Sequence, residues 1–122
     1  LWGRVMAQVK WNENLKLIWA LVSVEDLVQS RASAADLPRV LEKIRSNYSS
    51  GNFFLILYPE SATQVRGLIK ASSSESIALL AERFKEGMLH GDTLEFALSV
   101  NSLDDAERLT LEKIETLLTP TK

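Results

Sequence analysis

The chain has no cysteine, one histidine, three prolines and five glycines among 122 residues. The absence of cysteine excludes disulfide scaffolds, thiolate zinc sites and thiol nucleophiles, and it fits a reducing, cytoplasmic setting. So few prolines and glycines exclude collagen-like and linker-rich chains. Long apolar runs are missing as well. Leu15 to Val24 is interrupted by Lys16 and closed by Glu25 and Asp26, short of the roughly 20 apolar residues a spanning helix needs, so no membrane role is expected. Basic residues are not in excess: 14 Lys and Arg stand against 16 Asp and Glu, a net charge of -2. Binding to a polyanion would therefore depend on a local patch. There is no P-loop, dinucleotide glycine fingerprint, zincin motif, calcium loop or Gly-x-Ser-x-Gly elbow, so no catalytic residue, metal or organic cofactor is assigned to this chain. It opens at Leu1-Trp2-Gly3, without an initiator Met or a basic-then-apolar leader. That opening reads as a piece of a longer protein.

What is present is ordinary globular material: 46% of residues are hydrophobic and 25% charged. Residues 1–122 are long enough for one domain that buries about two-thirds of its unfolded surface. Alternation in Arg4 to Lys10, with Val5, Ala7 and Val9 on one side, predicts an edge strand. Asn12-Glu13-Asn14 turns the chain into a buried strand, Leu15 to Val22, making a hairpin. The serine-to-acid spacings Ser23 to Asp26 and Ser33 to Asp36 predict two helix starts. The second helix runs from about Leu37 to Asn47 on the stripe Leu37, Val40, Leu41 and Ile44, with Pro38 in its first turn. Phe53 to Tyr58 is apolar on both faces and reads as a central strand. Val65 to Lys70 alternates, which places Arg66, Leu68 and Lys70 on one face.

Ser72-Ser73-Ser74-Glu75 opens a helix carrying Ile77, Leu80, Ala81 and Phe84, and Gly87 follows as a left-handed cap residue. Thr93 to Ser99 is a final strand with Leu94, Phe96 and Leu98 inward. Ser102-Leu103-Asp104-Asp105 caps a last helix closed by Pro120, and capping together with the helix dipole accounts for its paired carboxylates. The sum is an α/β fold, a mixed sheet of about five strands covered by helices.

These segments, in this order, resemble the C-terminal DHH-associated domain of the DHH phosphoesterase superfamily, which includes RecJ-type exonucleases, nanoRNases and phosphatases acting on phosphoadenosine phosphate. The resemblance spans nearly the whole chain. It takes in Gly3-Arg4-Val5-Met6, the Leu17 to Val22 strand with Ser23-Val24-Glu25-Asp26-Leu27, and Tyr58-Pro59-Glu60. Its sharper part is Val65-Arg66-Gly67-Leu68-Ile69-Lys70-Ala71, where the family strand ends in Arg-Ser and Lys70 takes the arginine's place. The family then has a Gly-Gly-Gly-His loop. Here it is Gly87-Met88-Leu89-His90, with Phe96 at the expected interval of six. Only Gly87 remains of the glycine run, and Thr93-Leu94-Glu95 replaces Ala-Ala-Gly, so the loop is degenerate.

The resemblance implies a substrate-binding domain that holds a phosphate-bearing nucleotide or short single-stranded oligonucleotide. Its partner would be an N-terminal DHH catalytic domain of the same chain, and the divalent metal, Mn or Mg, would reside there because the Asp-His-His signature is missing here. Lys70 would be the main phosphate donor, supported by Arg66, Gly87 and His90. Each candidate also has a plainer reading: His90 as a polar loop histidine, Lys70 and Arg66 as solvated cations on a strand. A degenerate, partner-docking module is the corresponding alternative for the domain. Trp11 fits either packing across the hairpin or stacking on a base, while Trp19, Phe53 and Phe54 read as core.

Overall fold

The computed structural model describes residues 1–119. Its elements, in chain order, are α1 (Trp2–Met6), β1 (Lys10–Asn12), β2 (Leu17–Leu21), α2 (Val24–Gln29), a 3-10 turn (Ala34–Asp36), α3 (Leu37–Asn47), β3 (Phe53–Ser61), β4 (Gln64–Ala71), α4 (Ser74–Arg83), β5 (Met88–His90), β6 (Thr93–Leu98) and α5 (Leu103–Leu118). The strands form one mixed sheet in the order β1-β2-β3-β4-β6-β5. Only β2 and β3 are parallel, joined by the crossover through α2 and α3. The α/β architecture expected from the sequence is the one observed. No helix among the described residues is long and apolar enough to cross a membrane.

Strand alternation divides the core into two layers. On one side of the sheet Leu17, Trp19, Leu55, Leu57, Ile69, Leu94 and Phe96 meet Ile77 and Leu80 of α4 and Ala106 and Ile114 of α5. On the other, Ile18, Ala20, Phe54, Ile56 and Leu68 meet Val5 of α1 and Val40, Leu41 and Ile44 of α3. β3 is buried over its first six residues because both layers press on it. The capping signals act as expected: the Ser23 hydroxyl accepts from Asp26 N at 3.0 Å and the Asp26 carboxylate accepts from Ser23 N at 3.0 Å. Ser73 and Ser102 cap α4 and α5 with the hydroxyl alone, accepting from Ser76 N and Asp105 N.

Three expectations are corrected. Arg4 to Lys10 is not a strand: α1 occupies its first part, and β1 begins only at Lys10. Val5 and Val9 are as well spaced for a helix as for a strand, and Trp2, Met6 and Val9 all pack on the α3-side core. Met88–His90, expected as loop, is a strand paired with β6, which brings the sheet of about five strands to six. A two-residue Gly91-Asp92 connection makes that hairpin, with Gly91 at φ 62, the positive value its first turn position needs. Gly87, in contrast, is not a left-handed cap, since Gly91 is the only glycine with positive φ. Its smallness serves packing: a Cβ there would come 2.8 Å from Leu94 Cδ1. The closing of the last helix by Pro120 lies outside the described residues.

Candidate functional site

The sheet register lines up the residues that matter. Trp11 pairs with Ile18, Ile18 with Phe54, and Phe54 with Lys70. Ile69 pairs with Leu94, so Lys70 lies beside Thr93, which in turn pairs with His90. Trp11, Lys70 and His90 therefore occupy one cross-strand row, on the face that α3 covers in its middle. Arg66 belongs to the same face four residues back along β4, opposite Tyr58 and Ala97. Gly87 does not join them. It sits against Leu94 and Phe84, in the layer packed by α4 and α5.

α3 leaves the β6–β5 end of this face open. Met88 is 65% exposed, and the His90 side chain 58%. Lys70 is much less accessible, its side chain only 12% exposed, since α3 lies on one flank and the β5–β6 turn on the other.

Every cation of the cluster has a carboxylate. Lys70 Nζ stands 3.2 Å from Glu42 Oε2 of α3 and 3.2 Å from Asp92 Oδ1 of the turn. Arg66 is bound by Glu60 and lies 3.9 Å from Glu95 Oε2. His90 Nε2 is 3.7 Å from the same Glu95 oxygen. Glu42 also accepts from Arg45, and this bond, with Lys70 adding to it against some burial, holds the Glu42 carboxyl below its usual range. Asp92 is likewise lowered, chiefly by the Lys70 hydrogen bond. Glu42, Glu60, Asp92 and Glu95 outnumber Arg45, Arg66 and Lys70 here. The face therefore carries no positive excess while those pairs are closed.

Sequence reading found Lys70, Arg66 and His90 but missed Glu42 and Asp92. The Gly91-Asp92 dipeptide between alternating residues is a hairpin signal, and it would have placed a carboxylate at the tip beside Lys70. No comparable signal marks Glu42, which reaches the strand from another element.

Trp11 settles its two readings in part. It is opposite Ile18 in register yet 71% exposed, so it is not packed across the hairpin. β1 is an edge strand of three residues with little around it to cover a large ring. Trp19, Phe53 and Phe54 are core, as expected. Among the described residues no group of three or more His, Asp or Glu converges as a metal site would require.

These features define a three-layer α/β domain with an open half-face of paired charges. No family model and no curated protein sequence matches the chain. Among solved structures its fold is similar to that of an exopolyphosphatase-related protein from Bacteroides fragilis, with a TM-score of 0.74 at 14% identity. The match covers 94% of this chain and 33% of that one, so the chain spans about a third of that neighbour's length.

Proposed function

We propose that this chain is the DHH-associated, substrate-binding domain of a phosphoesterase, and that it holds a phosphate-bearing nucleotide or short single-stranded oligonucleotide for a separate metal-dependent domain. The observation that carries the reading is the fold likeness over 94% of the chain to one third of an exopolyphosphatase-related protein. The placing of Lys70 and His90 on one row supports it.

In this reading Lys70 Nζ donates to a phosphate oxygen in place of Asp92, which is 63% exposed on a turn and is the partner best able to withdraw. His90 Nε2 supplies a second donor at the open end, and Arg66 a third once Glu60 releases it. Gly87 contributes by letting β6 and the hairpin sit close, not by touching phosphate. The divalent metal and the hydrolytic step belong to the separate domain. This chain by itself hydrolyses nothing.

A second reading, a partner-docking module that binds no phosphate, is favoured by one observation: carboxylates outnumber cations on the open face. Titration with adenosine 5′-phosphate and short RNA, followed by amide NMR shifts at two salt concentrations, separates the two. Salt-sensitive shifts at Lys70 and across residues 87–96 are expected for substrate binding. Flat shifts there, together with an unchanged KM when Lys70 and His90 are both replaced by Ala in the full-length enzyme, would leave the docking reading standing.

A further inference from the structure

Trp11 is unexplained by the phosphate cluster, and its surroundings form a built pocket. The ring lines a cavity of about 260 Å³ together with Tyr48, Ile18, Lys16 and Glu13. Tyr48 also lines a second depression, which passes the C-terminal turn of α3 to Arg45 and Ser72. Arg45 and Ser72 line a third, which ends at Asp92. Shared walls thus join the three into one trough, running from Trp11 to the carboxylate that holds Lys70.

The chemistry alternates along this path. At one end two aromatic rings border an apolar cavity that fits a planar ring. In the middle the Arg45 guanidinium, bonded to Glu42, and the Ser72 hydroxyl line the wall, and the far end is Asp92, whose carboxylate holds Lys70. A single-stranded nucleic acid repeats flat base and charged phosphate, and proteins bind it with aromatic platforms beside cations; here the cations are Arg45 and Lys70, which a phosphate would take over from Glu42 and Asp92. A peptide helix would need a continuous apolar stripe, which the polar middle of the trough does not offer.

We propose that the Trp11–Tyr48 cavity is a base-stacking subsite for a nucleotide remote from the one whose phosphate Lys70 holds. The inference rests on the substrate-binding reading above and specifies its ligand as an oligonucleotide. The register sets a length. Three strand spacings of about 4.8 Å separate Trp11 from Lys70 by about 14 Å in a straight line, the least that a strand passing round the C-terminal turn of α3 must cover. At roughly 3.4 Å per stacked nucleotide that distance takes about four nucleotides, fewer if the strand is stretched.

The test is a binding series with 5′-phosphorylated oligoadenylates of one to six nucleotides, using the 122-residue chain and its Trp11→Ala, Trp11→Phe and Lys70→Ala variants. The exposed position of Trp11 makes the first two safe for folding. Trp11→Ala is expected to leave mononucleotide affinity unchanged and to weaken binding about tenfold or more for the longest ligands. Trp11→Phe should restore most of that loss, while Lys70→Ala should weaken binding at every length. Equal hexanucleotide affinity for wild type and Trp11→Ala, with the Lys70 effect intact, would overturn the subsite and leave the phosphate reading in place. No Lys70-dependent binding at any length would overturn both.

Discussion

Lys70 and Asp92 are 22 residues apart in the chain, yet the ammonium lies 3.2 Å from one carboxylate oxygen and 3.4 Å from the other. The contact ties the tip of the β5–β6 hairpin to β4. It also occupies the donor that a phosphate would need. Asp92→Asn is therefore expected to strengthen binding of a phosphate ligand. An exposed ion pair contributes about 0.2–1 kcal/mol, so the gain should be about 1.4- to fivefold in Kd at low salt. Isothermal titration with adenosine 5′-phosphate measures it, and weaker binding by the variant would show that Asp92 assists the site.

Gly67 and Phe96 make the second relationship. They are cross-strand partners, and a Cβ on Gly67 would overlap the Phe96 ring. That ring is held from behind by Phe84, with centroids 4.8 Å apart, so it has no room to retreat. Gly67→Ala should destabilise the domain by about 1–3 kcal/mol, the usual range for overpacking a core. Urea unfolding followed by circular dichroism would register it as a lowered midpoint. An unchanged midpoint would mean that the sheet opens locally to admit the methyl group.

Much of this fold could be read from the sequence where two signals agreed. The helix Leu37–Asn47 had a serine-acid start, a first-turn proline and an apolar stripe, and it is observed with those bounds. Phe53–Tyr58 had apolar character on both faces, and both faces are covered. The Arg4 to Lys10 strand failed because Val5 and Val9, four residues apart, satisfy helix and strand spacing alike; only the α3-side core on which they dock decides. The site was legible one strand at a time. Alternation put Arg66 and Lys70 together, but their alignment with Trp11 and His90 depends on strand order. Their neutralisation by Glu42 and Asp92 is a tertiary fact that no local spacing encodes.

Glu107 links α5 to the β1–β2 hairpin. One carboxylate oxygen accepts from Trp19 Nε1 at 2.8 Å and from Lys10 Nζ at 2.9 Å. Burial raises the Glu107 carboxyl, but these two bonds outweigh it and keep the group below its ordinary value. Glu107→Ala strands the indole N–H of a residue that is 6% exposed. The expected loss is about 1–3 kcal/mol, that of an unsatisfied buried donor. Glu107→Gln, which retains an acceptor, should lose less. Comparing the thermal midpoints of the two variants checks the assignment, and equal losses would point to the charge and not the indole bond.

Asp26 makes the domain sensitive to acid. It is 4% exposed, yet it stays ionised in the fold. Burial works to raise its pKa, while the bonds from Ser23 N at 3.0 Å and Arg4 Nε at 3.1 Å, with Gln8 adding to them, work against burial and leave it lowered from 3.8. A carboxyl with a depressed folded pKa contributes stability above its unfolded value and loses it as pH falls through the folded one. The contribution of Asp26 should thus be complete near neutrality and decline below about pH 4. Asp26→Ala removes a capping-box acceptor and leaves Arg4 unpaired, which is expected to cost about 1–3 kcal/mol at pH 7. Denaturant unfolding of both proteins from pH 7 to pH 3 should show the difference between them shrinking at the acid end. A difference that stays constant across that range would assign the loss to side-chain volume instead of ionisation.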